Sequence, residues 1–135
     1  AYPICHCLVG SEMCIRDRLD GVLAEKNGEI ILPLATDYND RPRQLVCFER
    51  GKYAETKYAL LGIEQGFSRV RFYPKTGRSH QLRAHSAFHD GLNMAIVGDD
   101  LYGKHNDRMY LHAEKLVFIH PVTNQELTVC SPVPF

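Results

Sequence analysis

The pattern of this sequence predicts an α+β fold with a mixed, largely antiparallel sheet and few helices. Three observations carry that prediction. Residues 54–63 and 67–73 alternate in polarity with a period of two, and Gly66 stands between them. Residues 79–89 fit a helical period. Two further short apolar runs, 111–119 and 126–130, flank the turn-forming residues Pro121, Val122, Thr123 and Asn124.

Taken in order, residues 28–34 (Gly-Glu-Ile-Ile-Leu-Pro-Leu) read as an edge strand or extended run, because Pro33 cannot donate to a central ladder. Residues 37–43 are polar and rich in turn formers. The alternations on either side of Gly66 predict an antiparallel hairpin. Residues 74–77, Pro-Lys-Thr-Gly, end the second strand. The helix over 79–89 directs Leu82, with Ala87 or Ser86, inward, and Thr76 or Ser79 is placed to cap it. Residues 96–99 predict a short strand that leads into a loop at Leu101, Tyr102 and Gly103.

With 135 residues, 44% of them hydrophobic, the chain suffices for one modest domain with a core. No apolar run approaches the roughly 18 residues that span a bilayer, and no secretory signal is expected. The chain reads as soluble and cytoplasmic. Formal net charge is zero, yet the distribution is uneven. From Gln65 to His89 there is no Asp or Glu, while Arg69, Arg71, Lys75, Arg78 and Arg83 fall in that stretch. Such a patch suits either a solvated positive face or a groove for RNA.

Cys5, Cys7, Cys14, Cys47 and Cys130 are odd in number and three of them crowd the start, which is no disulfide framework. Cys5, His6, Cys7 and Cys14 lack the paired Cys-x-x-Cys knuckles of a zinc site. His85 and His89 stand four apart, but no zincin-type Glu accompanies them. No metal is expected.

Residues 8–18, Leu-Val-Gly-Ser-Glu-Met-Cys-Ile-Arg-Asp-Arg, have neither strand nor helix period. They resemble the translation of a transposon-end adapter used in sequencing libraries. Residues 1–18 are therefore expected to be non-native and to pack poorly on the rest, with authentic sequence from about Leu19.

Residues 77–85, Gly-Arg-Ser-His-Gln-Leu-Arg-Ala-His, resemble the Gly-Arg-Thr/Ser-His-Gln-Leu/Ile-Arg-x-His signature of RluA-type RNA pseudouridine synthases. Further blocks follow in that family's order: Ile96-Val97-Gly98-Asp99 with Tyr102-Gly103, then Leu111-His112-Ala113, then His120-Pro121-Val122-Thr123. Upstream, Leu32-Pro33-Leu34 and Asp40-Arg41-Pro42-Arg43-Gln44 are similar to the same subgroup. The likeness covers residues 19–135 and implies the C-terminal portion of a synthase catalytic domain.

The resemblance implies isomerisation of a uridine to pseudouridine in ribosomal or transfer RNA, without metal or cofactor. The target base leaves its stack, and an Asp acts as nucleophile. Arg83 falls where the family's arginine lies against that Asp and keeps it ionised. Lys75, Arg78, His80, Gln81 and Tyr102 are the candidate RNA-binding residues. His112 is expected to be structural, and the protein to be a monomer. The nucleophile itself sits in a His-Arg-Leu-Asp-x-x-Thr-Ser-Gly motif that this chain does not match. Arg18-Leu19-Asp20 imitates part of it, but Asp17 replaces the His and Gly21-Val22-Leu23 follows. Asp20 is therefore refused as nucleophile, and the chain is expected to be inactive alone. The other reading is a non-catalytic RNA-binding module of the same fold. Residues 90–93, Asp-Gly-Leu-Asn, are expected to form a small loop insertion.

Overall fold

The computed structural model describes residues 12–135. The strands are β1 (Glu12–Leu19), β2 (Asn27–Ile31), β3 (Leu34–Thr36), β4 (Gln44–Val46), β5 (Glu55–Glu64), β6 (Phe67–Pro74), β7 (Leu111–Ile119) and β8 (Glu126–Cys130). One helix, α1 (Gln81–Ala87), lies between β6 and β7. Six strands form a sheet in the order β2-β5-β6-β1-β7-β8, and β3 pairs with β4 in a separate ribbon. The α+β class stands, and every ladder among the described residues is antiparallel.

The β5–β6 hairpin forms as its alternation predicts. Its two turn residues, Gln65 and Gly66, both have positive φ, 51° and 83°, which matches the twist of the flanking strands. Val70 and Phe72 of β6 point to the core and are fully buried, each stabilising the fold by about 1.5–3 kcal/mol. They pack with Leu19, Ile30, Tyr58, Leu82, Leu92 and Ile96. The opposite positions, Arg69 and Arg71, face outward on the other side of the sheet.

Helix α1 is shorter than predicted. It has no side-chain cap: His80 is the N-cap residue in the left-handed region, φ 52°. Thr76, expected to cap, instead accepts from the Glu55 N–H and donates to the Gln81 side chain. Phe88 turns extended and ends the helix. Residues 90–93 are no loose insertion. They fold back on the helix end, where the Leu92 N–H donates to the His85 carbonyl and Leu92 joins the core.

Residues 96–99 do not form the expected strand. Ile96 makes one isolated bridge with Leu19, and the chain then turns at Gly98, φ 82°. A Cβ at Gly98 would lie 1.6 Å from the Arg108 carbonyl oxygen, so only glycine fits there.

The largest correction concerns the N-terminal segment. Residues 1–11 lie outside the described residues. Glu12 to Arg18, expected to pack poorly, lie in β1, whose residues 12–17 pair with β7 and whose residues 15–19 pair with β6. Backbone ladders need no particular side chain, and the facing edges of β6 and β7 supply both. The side chains fit less well. Ile15 packs on the core, but Asp17, on the same face, is 1% exposed and its carboxylate has no hydrogen-bond partner among the described residues. The Nε of Arg18 is also buried and unpaired.

Candidate active-site arginine and its groove

Arg83 projects from the middle of α1 and meets Asp99, which the turn at Gly98 presents. Nε donates to Oδ2 at 2.9 Å and Nη2 to Oδ1 at 2.8 Å, a two-pronged pair. The Leu101 and Tyr102 N–H groups, at 3.0 and 3.1 Å, also donate to Asp99 Oδ1. Burial alone would push the Asp99 carboxyl up. Arg83 and these N–H groups outweigh it, and the carboxyl lies below its usual value. Hydrogen bonding to Asp99 in turn holds Arg83 firmly protonated. Arg83 Nη1 has no hydrogen-bond partner among the described residues, so one edge of the guanidinium remains available.

Tyr102 is the second member of the site. Its ring lies 5.2 Å from the Arg83 guanidinium carbon and 5.1 Å from that of Arg43. Its hydroxyl accepts from the Gln44 N–H at 2.8 Å and lies 3.0 Å from His80 Nδ1. His80 is partly buried, and burial followed by the charge of Arg83 lowers its pKa, which favours the neutral ring. The motif thus brings Arg83, His80 and Tyr102 together. Arg43 and Gln44 of the ribbon join them, a contact that sequence spacing does not disclose.

Gln81 is a correction. Expected at an RNA surface, it is 4% exposed. Its Nε2 donates to the Glu55 carbonyl and Thr56 Oγ1, and its Oε1 accepts from Thr76 Oγ1 and the Arg78 N–H. All four amide hydrogen bonds are internal, so Gln81 fastens the 76–80 loop to β5. His85 extends this network: its Nε2–H donates to the Leu32 carbonyl at 2.9 Å, and its Nδ1 lies 3.0 Å from the Thr56 hydroxyl. Arg78 donates through Nε to the Tyr53 carbonyl, and Lys75 is exposed at the end of β6.

His89 lies past the helix end beside Asp90, far from pairing with buried His85. Among the described residues no group of three or more His, Cys, Asp or Glu is placed to hold a metal ion. His112 Nε2 donates to the Ser131 carbonyl, a structural contact. Asp20 is exposed at the end of β1, with its N–H on the Ala95 carbonyl.

Residues 12–88 match the family model described as RNA pseudouridylate synthase. The chain belongs to that family. Relatives of this chain include the dual-specificity RNA pseudouridine synthase RluA of Vibrio cholerae, 42% identical over 123 residues, which cover 87% of this chain and 49% of that protein. The protein of the same name from Escherichia coli K12 is 37% identical over 124 residues, 87% of this chain and 55% of its own length. The chain spans about half the length of these curated relatives. Among solved structures, human RNA pseudouridylate synthase domain containing 1 superposes with a TM-score of 0.78 at 28% identity, over 93% of this chain and 56% of that one. The synthase fold is further supported by human RNA pseudouridylate synthase domain containing 4, TM-score 0.72. No described helix is long and apolar enough to cross a membrane.

Proposed function

We propose that residues 19–135 are the C-terminal portion of the catalytic domain of an RNA pseudouridine synthase, which converts uridine to pseudouridine in ribosomal or transfer RNA. The observation that carries this reading is the half-used guanidinium of Arg83. Asp99 takes Nε and Nη2. The Nη1 edge is left for a second carboxylate, the nucleophile that an isomerase of this family requires and that the Asp20 region does not match. In such a pocket Arg83 keeps the nucleophile ionised against desolvation and fixes its direction. Tyr102 and Asp99 hold Arg83 in place, and Gln81 and His85 hold its helix on β5. Residues 1–18 are read as non-native, a reading supported by the unpartnered Asp17 in the core. Determining the native locus upstream of the Leu19 codon tests that part directly.

The activity test is tritium release from uridine-labelled RNA. The chain as given is expected to release none above background. Clear turnover would sink the reading that the nucleophile is missing, and Asp20→Ala would then show whether Asp20 serves. In a protein restored with the native upstream sequence, Arg83→Ala should abolish turnover and leave RNA affinity nearly unchanged. Normal turnover in that variant would show that Arg83 is not the nucleophile's partner.

A further inference from the structure

The ribbon β3–β4 carries a second concentration of chemistry that the Arg83 site does not use. Its connecting turn and the 79–80 segment enclose a pocket of about 360 Å³, lined by Thr36, Tyr38, Arg41, Pro42, Gln44, Ser79 and His80. That volume is at the small end for ligand pockets and suits a single nucleotide. Tyr38 stands at the rim, 63% exposed, with the guanidinium carbons of Arg41 and Arg50 at 4.8 and 5.0 Å from its ring centre.

The charges around the rim are not balanced. Arg41, Arg50 and Arg78 form no ion pair among the described residues. Arg50 and Arg78 are held by backbone carbonyls, those of Thr36 and Tyr53, which orient a guanidinium without neutralising it. Of the nearby acids, Asp40 pairs with Arg43, while Asp37 accepts from the Asn39 N–H and forms no ion pair with these arginines among the described residues. Two cations without an ion-pair partner among the described residues, Arg41 and Arg50, beside an exposed ring are the two halves of a site for a nucleic-acid strand. The cations suit phosphate, and the ring suits a base.

The pocket's polar lining is also unsaturated. The Gln44 amide makes only two long contacts, 3.5 Å each, to Thr36 Oγ1 and the Pro42 carbonyl. The Ser79 hydroxyl has no side-chain hydrogen bond among the described residues. His80 reaches Tyr102 through Nδ1 alone, which leaves Nε2 for a ligand. These groups can meet the edge of a base whose face lies on Tyr38. Through the His80–Tyr102 contact, the pocket adjoins Arg83.

We propose that this pocket is a subsite for one unpaired nucleotide flanking the uridine that reacts, with its base stacking on Tyr38 in place of one of the two guanidiniums that lie over the ring, and Arg41 and Arg50 turning to its phosphates. The proposal rests on the reading of the protein as an RNA pseudouridine synthase, and it adds a separate strand contact on the ribbon. It predicts preference for single-stranded over fully paired RNA at this position, since a base in a duplex cannot present its face.

The test is fluorescence anisotropy of the chain with a labelled eight-nucleotide oligouridine and with a blunt RNA duplex, across a salt series. Tyr38→Ala should weaken single-strand binding by about tenfold, and Tyr38→Phe should retain it, as expected for stacking on a ring. Arg41→Ala with Arg50→Ala should flatten the slope of log affinity against log salt by about 1.4, for two phosphates on a single strand. Lys115→Ala, on strand β7, should bind like wild type. Melting temperatures of the Tyr38 and arginine variants should stay close to wild type. If wild type binds the oligouridine and the Tyr38 and arginine variants match it, the subsite is wrong and the synthase reading stands. If wild type binds neither RNA, the subsite and an RNA-binding role for this chain fall together. If Tyr38→Ala lowers the melting temperature in step with binding, the cluster serves the ribbon's own stability and the proposal is overturned.

Discussion

Two buried aspartates treat their charge in opposite ways. Asp99 is 0% exposed and accepts four hydrogen bonds, two from Arg83 and one each from the Leu101 and Tyr102 N–H groups. Asp17 is 1% exposed and accepts none among the described residues. The first carboxyl is held below its usual value, and the second is pushed well above 3.8 by burial, which the charge of neighbouring Arg16 only partly offsets. Both are shut off from solvent. What differs is whether donors were aimed at the carboxylate, and that decides whether a buried acid organises a site or burdens a core.

The sharpest way to break the comparison is to remove the satisfied acid. Asp99→Ala strands Arg83, which is mostly buried, and the Leu101 and Tyr102 N–H groups. It should cost about 3 kcal/mol in urea unfolding. Asp99→Asn, which still accepts from the two N–H groups, should cost less. Equal stability of Asp99→Ala and wild type would remove Asp99 as the organiser of the site.

Asp17 should show the reverse sign. Asp17→Val replaces an unpaired carboxyl with an apolar group that suits its neighbours Ile15 and Leu19, and should stabilise by about 2 kcal/mol. The gain has a pH signature. A carboxyl whose folded pKa is raised favours folding most below its unfolded value, and that contribution is lost as pH rises from about 4 towards the folded value. The advantage of the Val variant should therefore be small near pH 4 and grow as pH rises. A pH-independent gain would mean that shape, not charge, was at fault.

A smaller effect is expected at the network beneath the helix. Thr56→Val leaves His85 Nδ1 and one Gln81 N–H without partners and should cost about 1–2 kcal/mol. Burial lowers the pKa of His85, so its contribution is present above about pH 6.5 and is lost as the pH falls from there towards the folded value. His85→Gln should accordingly flatten the stability profile on the acid side of pH 6.5. The exposed pair Arg69–Glu64, at 3.5 Å, is the control: Glu64→Ala should change stability by less than about 1 kcal/mol.

Much of the fold was legible because its alternation is clean. The β5–β6 hairpin, β7 and β8 appear where period and turn residues place them, and the motif led directly to Arg83, His80 and Tyr102. Strand β1 was not legible, since the Asp17 charge occupies an inward position and erases the period of two. Residues 96–99 look like a strand by composition, but Gly98 takes a positive φ of 82° and the chain turns there. Strand β4 is only three residues, just after a polar stretch, too short to carry a period. Gln81 reads as a polar residue at a helix start, and nothing local reveals that four partners from β5 and the 76–78 loop converge on it. The grouping of Tyr38 with Arg41 and Arg50 likewise depends on the ribbon folding back.

The hydrogen-bond path beneath the helix also has a direction. Leu32 offers only a carbonyl, so the His85 Nε2 must carry the proton, its Nδ1 must accept from the Thr56 hydroxyl, and Thr56 must accept from Gln81. No link can reverse alone. The imidazole proton on Nε2 is sealed from water while α1 stays on β5 and can leave only when the helix lifts. That one hydrogen is a clock: its exchange lifetime reports how often the segment bearing Arg83 comes off the sheet.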